Sequence, residues 1–461
     1  MSGWMEPYRV RVIEHIHRTT RAQREKLLER ASFNLYSIDA KDVLIDLLTD
    51  SGLCALSNEQ MAAMMQADES YAGSSSYRRF ESRIRDIFGF EHVIPVHQGR
   101  AAERLLIECL SKPGDLVPSN TLFETTRANC QAYEVTPADL PADKFWDFER
   151  PDSFKGDMNC EALEDLLKSP SANRVPFVLL TVTNNMCGDQ PVSLANMLQV
   201  RELANRYGKP LYLDACRFAQ NAWFIKSEEP GYANTSIREI VQEMFACADG
   251  CIFSAKKDAL SHMGGFVATR SAVLARRARE LLLFREGFVT YGGMTGRDME
   301  SIAVGLSEVL EEDYLSYRVE TTRYLQARLE DFAIPMVRPA GGHAVYIDAS
   351  SMLPHLTAEE NPGQALAARL YLESGVRSTR IVLTPKLGPR AGQHVELLRL
   401  ALPSRVYSVQ HLDYVAQAMS KVAEDAPAIQ GLAVVESPKL LGGFLARYQQ
   451  LEKTAEVTAM R

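Results

Sequence analysis

The sequence has no apolar run that approaches the length needed to cross a membrane. Its first twenty residues are mixed and charged, and they lack the apolar segment of a secretory signal peptide. Both absences argue against export and against a membrane-spanning protein. We therefore expect a cytoplasmic protein.

Long blocks of Lys and Arg are also absent, and the formal net charge of −8 is spread along 461 residues. Nucleic acid and anionic membranes are therefore not expected as partners. The eight cysteines lie far apart, so we expect reduced, mostly buried thiols rather than a disulfide scaffold. The nearest pair, Cys247 and Cys251, has no second pair or nearby histidine to complete a zinc site.

The chain is longer than one domain usually is, and 46% of its residues are hydrophobic. After about residue 310 the composition turns to long amphipathic helices, such as 317–332, mixed with short strands such as 343–347. We predict an N-terminal arm with part of a small domain at 1–50, a large cofactor-binding domain at 51–310 and a small α+β domain at 311–461.

Apolar runs and helical patterns alternate within the large domain. The runs at 175–182, 211–213 and 250–253 predict buried strands, and the spacing at 194–207 and 237–246 predicts helices. This alternation indicates an α/β fold with a mostly parallel sheet. In such sheets, ligands bind outside the carboxyl ends of the strands.

Asn185, Asp214 and Lys257 all fall at those predicted strand ends. Pyridoxal phosphate (PLP) needs a lysine for covalent attachment and an acid that keeps its pyridine nitrogen protonated. Alone, such a lysine is more typical of a solvated loop and such an aspartate of a helix cap. Their order along the alternating pattern predicts PLP as the cofactor, with Lys257 and Asp214 in those two roles.

Residues 93–103 predict a strand that runs into a helix through a turn of small residues. Gly99 lets the backbone approach an anion, the helix start offers free N–H groups, and Arg100 adds a charge. Without the lysine context, an ordinary turn with a surface arginine would be the simpler interpretation. Together with Lys257 after a later strand, the segment predicts a phosphate site.

Six motifs, taken in order, resemble the tyrosine phenol-lyase and tryptophanase family: IDLLTDSG at 45–52, HQGR at 97–100, QPVS at 190–193, SAKKD at 254–258, YGG at 291–293 and GGHA at 341–344. The resemblance extends from about residue 7 to 447. It implies the aspartate-aminotransferase type of PLP fold (fold type I) and a small amino-acid substrate. It also implies a homotetramer with active sites shared across a dimer interface.

The resemblance also assigns cofactor residues. Lys257 would be the Schiff-base lysine and Asp214 the partner of the pyridine nitrogen. The remaining cofactor-binding positions would be Gln98, Gly99, Arg100 and Ser254 at the phosphate, Phe123 stacked on the ring, Asn185 and Arg217 at the phenolic oxygen, and Lys256.

On the substrate side, Arg399 would bind the α-carboxylate, and Tyr71 of the neighbouring subunit would protonate the leaving group. Glu69 with Gly52 would form a potassium site, and Ser51, Phe288 and Thr379 would line the substrate pocket. The implied reaction begins with α-proton removal by Lys257. It continues through protonation and α,β-elimination of the side chain and ends with pyruvate and ammonium.

Three positions depart from both named activities. Ile381 stands where phenol-lyases have a phenol-binding arginine, and the adjacent Arg380 would point to the opposite face of an extended segment. Glu124 replaces a threonine of phenol-lyases and an aspartate of tryptophanases. Gly443 stands where tryptophanases have a histidine, and the loop between Thr384 and Glu396 is shorter than in either relative.

These departures, with Tyr36 and Phe288 at pocket positions, predict a leaving group that is neither phenol nor indole and is larger, polar or cationic. Three alternatives stay open: a tryptophanase with a rearranged pocket, a PLP-dependent β-replacement enzyme or aminotransferase, and a non-catalytic relative. Tyr71 favours elimination, because transamination needs no acid for a leaving group. The presence of Lys257, Asp214 and Arg399 argues against the non-catalytic relative.

Overall fold

The computed structural model describes residues 5–385 and 390–452. The strands are β1 Ile45–Asp46, β2 His92–Val96, β3 Leu116–Ser119, β4 Thr136–Asp139, β5 Val178–Thr181, β6 Leu211–Asp214, β7 Gly250–Ser254, β8 Gly265–Thr269, β9 Ala344–Asp348, β10 Val376–Arg377, β11 Thr379–Leu383, β12 Val395–Ala401, β13 Leu432–Glu436 and β14 Arg447–Gln450. The α-helices are α1 Arg21–Arg30, α2 Asn58–Met65, α3 Ser75–Phe88, α4 Gly99–Leu110, α5 Glu124–Ala132, α6 Cys160–Lys168, α7 Leu194–Arg206, α8 Phe218–Glu228, α9 Ile237–Ala246, α10 Ala272–Arg285, α11 Gly296–Glu308, α12 Glu312–Glu330, α13 Ala349–Met352, α14 Pro362–Ser374, α15 Val409–Glu424 and α16 Gly442–Leu445.

The large sheet has the order β2-β8-β7-β6-β5-β3-β4. Its strands pair in parallel from β4 to β7, whereas β8 is antiparallel to both of its neighbours. Alternate residues face opposite sides: Leu180 and Leu213 join one apolar cluster, and Leu179 and Tyr212 join another. Both faces are therefore buried, which explains why the strands read as continuous apolar runs. The predicted mostly parallel sheet is confirmed.

The predicted elements of this region agree with the observed ones to within a few residues. The helix predicted at 237–246 has those bounds, because Ser236 caps its start with Glu239 in a capping box. The strand predicted at 175–182 is shorter, because residues 170–174 form a 3₁₀ turn and β5 begins only at Val178.

A second apolar core joins residues 28–47 to residues 325–448. Strand β1 pairs in parallel with β10, and β9, β12 and β11 form an antiparallel sheet. Helix α12 connects the two cores, since Val319 packs in the first and Leu325 in the second. The exact domain limits at residues 50 and 310 stay a prediction.

All eight cysteines are free thiols, six of them buried and two half-buried. Among the described residues, no helix is both long and apolar enough to cross a bilayer. In the same part of the chain, no group of three or more His, Cys, Asp or Glu side chains could hold a metal ion.

Candidate active site

The carboxyl ends of β5, β6 and β7 bring the central predicted residues together. Asp214 ends β6, Asn185 begins a 3₁₀ turn four residues after β5, and Lys257 lies three residues after β7. The Lys257 charge influences the pKa of Asp50 and of Glu103, so its ammonium lies near both carboxyls. Among the described residues no hydrogen bond holds the Lys257 ammonium, which leaves it available for covalent chemistry.

A narrow cradle for an anion lies at the start of α4. A Cβ added to Gly99 would lie 2.5 Å from the Cβ of Ser254, so only glycine lets these two backbones meet. The helix has no side-chain cap, which leaves its first N–H groups free for a ligand. Burial, with repulsion from Lys257 and Arg100, lowers the pKa of Lys256. A phosphate would relieve this repulsion, so the residues present fit PLP.

Gln98 adjoins this cradle, and its side-chain nitrogen lies 2.9 Å from His97 Nε2. His97 in turn pairs through Nδ1 with the carboxylate of Glu286. The sequence analysis did not predict that His97 and Glu286 would pair beside Gln98.

Phe123 precedes α5 as its N-cap residue. It is half-buried and packs against an apolar cluster that includes Met186.

Arg217 forms a buried pair with Asp50. Its Nε and Nη2 donate to the two Asp50 oxygens over 2.9 and 2.8 Å. Burial opposes the charge of Asp50, but Arg217 and His343 outweigh it and hold the pKa of Asp50 well below its usual range. His343 Nδ1 lies 2.5 Å from Asp189. Arg217 is thus fixed on the edge that carries Nε and Nη2.

Register in the small antiparallel sheet positions Arg399. Arg399 on β12 pairs with Thr379 on one side and Tyr346 on the other, so the three side chains share one face. Arg399 Nη1 donates to Asn185 Oδ1 over 3.3 Å, and Nη2 donates to the Leu48 carbonyl over 3.1 Å.

The same guanidinium keeps one group without a partner. Its Nε is buried and forms no hydrogen bond with the described residues. A buried N–H donor without a partner is costly, and a substrate carboxylate would satisfy it.

Polar and aromatic groups surround the predicted side-chain pocket. The Tyr36 hydroxyl lies 2.9 Å from Thr379 Oγ1, and the Tyr36 ring lies 4.9 Å from that of Phe444. Burial raises the pKa of Glu124, although Arg399 and other arginines oppose this rise. The Glu124 charge also acts on Tyr36, so the carboxyl and the phenol are neighbours.

Ile381 occupies the site-facing side of β11, two residues beyond Thr379. It is 1% exposed and packs with Trp146 and Leu397. Arg380 faces away, where its Nη1 donates to Asn361 over 2.6 Å and lies 3.3 Å from Glu396. Arg380 is therefore committed elsewhere and does not replace the missing arginine.

Gly443 lies in the short helix α16, and a Cβ added there would meet nothing within 4 Å. Space is therefore open at that position, next to the Phe444 that contacts Tyr36. The shortened loop predicted between Thr384 and Glu396 includes residues 386–389, which lie outside the described residues.

Tyr71 and Phe288 lie together, their rings 5.3 Å apart, and Tyr71 is 68% exposed.

The predicted potassium ligands, Gly52 and Glu69, lie in two different places. Gly52 donates to the Lys256 carbonyl, and Ser51 is next to it, whereas Glu69 accepts a hydrogen bond from Gly296. The two predicted potassium ligands thus have different neighbours within one chain.

Glu103 is a buried carboxyl at the end of the segment 93–103, and the sequence interpretation gave it no role. It accepts hydrogen bonds from Thr125 Oγ1 and Asn129 Nδ2, over 2.9 and 3.2 Å. Burial and the charge of Asp214 raise its pKa from 4.5 to about 7. Its place near Asp214 could not be read from the sequence, because α4 and β6 are 100 residues apart.

We expect Glu103→Gln to stabilise the apoprotein progressively as pH rises. The raised pKa of Glu103 stabilises the folded wild-type protein below pH 4.5, and this stabilisation is lost as pH rises through 7. Across that range, its contribution to the free energy of unfolding falls by about 3 kcal/mol. Glutamine has no such titration. Urea unfolding of both proteins at pH 5 and pH 8 checks this. If the difference in unfolding free energy is equal at both pH values, the expectation fails.

Tyr346, Asp50 and Phe444 were also missed as site residues. The Tyr346 hydroxyl donates to Asn185 Oδ1 over 2.7 Å and so helps to orient that amide. Asp50 lies in the IDLLTDSG motif at 45–52, and that motif was the available signal. Tyr346 and Phe444 gave none, since aromatic residues in apolar surroundings are usually core.

Together these contacts bring a lysine, an anion cradle and an arginine with an unpartnered buried N–H group to one site, an arrangement that fits an enzyme with an anionic cofactor and a carboxylate substrate. Comparisons with known proteins agree. The family model for beta-eliminating lyases matches residues 46–418. Tryptophanase of Hyphomonas neptunium is 48% identical over 98% of this chain and 100% of that protein. Tyrosine phenol-lyase of Symbiobacterium thermophilum is 42% identical over 97% of this chain and 99% of that protein.

The chain belongs to the beta-eliminating lyase family and is a PLP-dependent lyase. Among solved structures, serine palmitoyltransferase of Sphingomonas wittichii matches with a TM-score of 0.61 at 16% identity, over 88% of this chain and 97% of that one. The predicted family, α/β fold class and lyase activity are therefore confirmed.

Proposed function

We propose that this enzyme eliminates a polar or cationic leaving group, neither phenol nor indole, from an L-amino acid to give pyruvate and ammonium. The observation that carries this proposal is the half-buried Glu124 carboxyl close to the hydrogen-bonded Tyr36 and Thr379 hydroxyls. A hydrogen-bond donor or a cation on the substrate would pair with that carboxyl.

In the proposed mechanism, Arg399 binds the substrate carboxylate, held in place by Asn185 and the Leu48 carbonyl. Bound PLP supplies an electron sink for the electron pair released at Cα. Lys257 removes the α-proton, and Asp214, at the end of β6, would hold the protonated pyridine nitrogen of the cofactor. Tyr71 gives a proton to the leaving group.

Tyr71 would act in the site of a neighbouring subunit. Its high exposure and its place beside Phe288 support that arrangement, because the side chain stands at the surface of its own chain. We also propose a homotetramer built from dimers. The different neighbours of Gly52 and Glu69 within one chain support a potassium site shared between two subunits.

The pocket supports a substrate other than tyrosine. Ile381 places a buried alkyl group on the face where a phenolate-binding guanidinium would be needed, and Arg380 is held by Asn361 and Glu396. A phenolate would thus meet an alkyl group rather than a guanidinium at position 381, and the Glu124 carboxyl would repel it.

A tryptophanase activity is the second candidate. The tryptophanases of Hyphomonas neptunium and Salinibacter ruber are 48 and 49% identical to this chain, compared with 42% for the phenol-lyase of Symbiobacterium thermophilum. Glu124 could then accept the indole N–H. The open space at Gly443 marks where the pocket would have to be rearranged.

Pyruvate release from a panel of L-amino acids decides between these candidates. The panel contains L-tryptophan, L-tyrosine, S-methyl-L-cysteine and S-(2-aminoethyl)-L-cysteine. We expect kcat/KM to be at least about 10-fold higher for the basic S-(2-aminoethyl)-L-cysteine than for S-methyl-L-cysteine, the size of one favourable charge contact. Faster turnover of L-tryptophan would overturn the new leaving group and support the second candidate.

We expect Glu124→Gln to lower kcat/KM for the preferred basic substrate by about 10–100-fold. The reaction with S-methyl-L-cysteine should change less than about threefold, because its leaving group carries no charge. Because burial raises the Glu124 pKa, the wild-type preference for the basic substrate should increase with pH as the carboxyl ionises. In the Gln variant this pH dependence should disappear; an unchanged pH profile would exclude Glu124.

A further inference from the structure

Asp258 follows Lys257 directly and is a buried carboxyl, 1% exposed, without a role in the proposed mechanism. Its Oδ2 accepts the backbone N–H groups of Ala219 and Gln220 over 2.8 and 3.2 Å. Its Oδ1 accepts a side-chain N–H of Gln220 over 2.6 Å. All three donors belong to the first turn of α8. Asp258 is therefore bonded to a segment that lies 38 to 39 residues before it in the chain.

Helix α8 obtains its N-terminal cap from this contact. The first N–H groups of a helix have no partners within it, and the N-cap side chain usually accepts the N–H of the second or third helical residue. Arg217 occupies the N-cap position of α8 and forms no such bond, because it donates to Asp50 instead. Asp258 supplies the missing acceptor from another segment. Its negative charge also suits a helix N-terminus.

Two further contacts join the same segments. The Asp258 N–H donates to the Cys216 carbonyl over 3.3 Å, and the Ser254 N–H donates to the Cys216 sulfur over 3.2 Å. Lys257 immediately precedes Asp258, and Arg217 immediately follows Cys216. The backbones of Lys257 and Arg217 are thus held in a fixed relation, and Asp258 is the side chain that completes the connection.

The charge of Arg217 also acts on Asp258. Burial raises the pKa of Asp258 from 3.8 to about 6, whereas the Gln220 contacts and the Arg217 charge oppose this rise. On its other side, Gln220 packs so closely on Gly342 that a Cβ added there would lie 2.5 Å from Gln220 Oε1. The SAKKD and GGHA motifs therefore meet at Gln220, a residue that belongs to neither.

We propose that Asp258 is a positioning residue that fixes the Lys257 nitrogen relative to the Arg217 guanidinium, and so relative to the phenolic oxygen of the cofactor. This inference rests on the proposed cofactor roles of Lys257 and Arg217. Asp258 itself touches neither cofactor nor substrate, because the first turn of α8 occupies both of its oxygens. Without it, the lysine segment and the start of α8 would move independently.

The test compares two substitutions of Asp258 in the PLP-loaded enzyme. Asparagine keeps an oxygen for the Ala219 and Gln220 N–H groups, and its NH₂ group can donate to Gln220 Oε1 once that amide rotates. Alanine offers no acceptor. For Asp258→Ala we expect the PLP dissociation constant, measured by equilibrium dialysis, to rise about 10–100-fold and kcat to fall about 10–100-fold. For Asp258→Asn both should stay within about threefold of wild type.

A spectroscopic readout does not depend on turnover. The visible absorption band of the bound cofactor titrates with the proton on the Lys257 nitrogen, and the pKa of that titration depends on a cation at the phenolic oxygen. We expect Asp258→Ala to shift this pKa by about one pH unit or more and Asp258→Asn to leave it unchanged. An unchanged pKa in Asp258→Ala would overturn the proposal. An equal shift in both variants would attribute the effect to the Asp258 charge and would overturn it as well.

Asn159→Ala is the matched control for a lost helix cap. Asn159 caps α6 by accepting the Ala162 N–H over 3.0 Å, and α6 carries none of the predicted cofactor residues. Its loss should lower the free energy of unfolding without changing the PLP band. If Asn159→Ala shifts the band as Asp258→Ala does, general loss of stability explains the shift and the proposal fails.

Lys257→Ala and Arg217→Lys are the reference variants. If Lys257→Ala leaves the band and its titration intact, the proposed role of Lys257 is wrong. If Arg217→Lys leaves the titration intact, the proposed role of Arg217 is wrong. If both reference variants change the titration while Asp258→Ala does not, only the inference about Asp258 is overturned.

Discussion

Replacing Lys257 with alanine lowers pyruvate release by at least about 10⁴-fold, the largest loss expected from one residue of the site. The lysine both attaches the cofactor and removes the α-proton in the proposed mechanism. The coupled pyruvate assay with the best substrate of the panel checks this.

Lys257→Arg separates chemistry from charge. The Lys257 charge acts on Asp50 and Glu103, so alanine also removes a cation from buried carboxyls. Arginine keeps that cation but is no primary amine, and we expect it to be as inactive as alanine. An arginine variant that retains a tenth of the activity would show that Lys257 acts mainly through its charge.

Arg399→Gln carries the second largest expected effect, a loss of about 10²–10³-fold in kcat/KM. Losing a buried charge pair costs roughly 2–5 kcal/mol, and each 1.4 kcal/mol is tenfold. Glutamine can still reach Asn185 or the Leu48 carbonyl but offers the substrate carboxylate no fork of N–H groups. Steady-state kinetics with the best panel substrate measures the loss.

Arg380→Gln is the matched control for Arg399. It removes the neighbouring guanidinium of β11, which bonds to Asn361 and Glu396 and acts on the site only through its charge on Glu124. We expect its kcat/KM to stay within about threefold of wild type, as for a change away from bound groups. An equal loss in the two variants would mean that long-range charge, rather than contact with the substrate carboxylate, explains the Arg399 effect.

The sequence pattern did not predict the direction of strand β8, which is antiparallel to both of its neighbours. The alternation of apolar runs with helical spacing predicted parallel neighbours. Between β7 and β8, however, residues 255–264 form no helix. A parallel return needs a long crossover, whereas a short connection suits an antiparallel pair. The prediction of a mostly parallel sheet was right, and the single reversal follows from the length of this connection.

Some residues of the candidate site could likewise be predicted from the sequence, and others could not. Lys257, Asp214 and Gly99 could be found from the sequence because each follows a strand whose apolar run is visible. The pairing of Arg217 with Asp50 could not, since the two residues are 167 positions apart. Glu124 stood out as a departure from related sequences, but its neighbours Tyr36 and Arg399 come from other segments.

By itself, the sequence determined the α/β class, the strand ends that carry the lysine and the aspartate, and membership of the lyase family. Those features depend on local patterns and contiguous motifs, which one strand or turn contains completely. Only the tertiary structure decided that Ile381 faces the site while Arg380 faces away, and that Arg399 keeps a buried N–H group without a partner among the described residues. The reason is physical: register, burial and hydroxyl contacts arise between segments that are distant in the chain, and no local pattern specifies them.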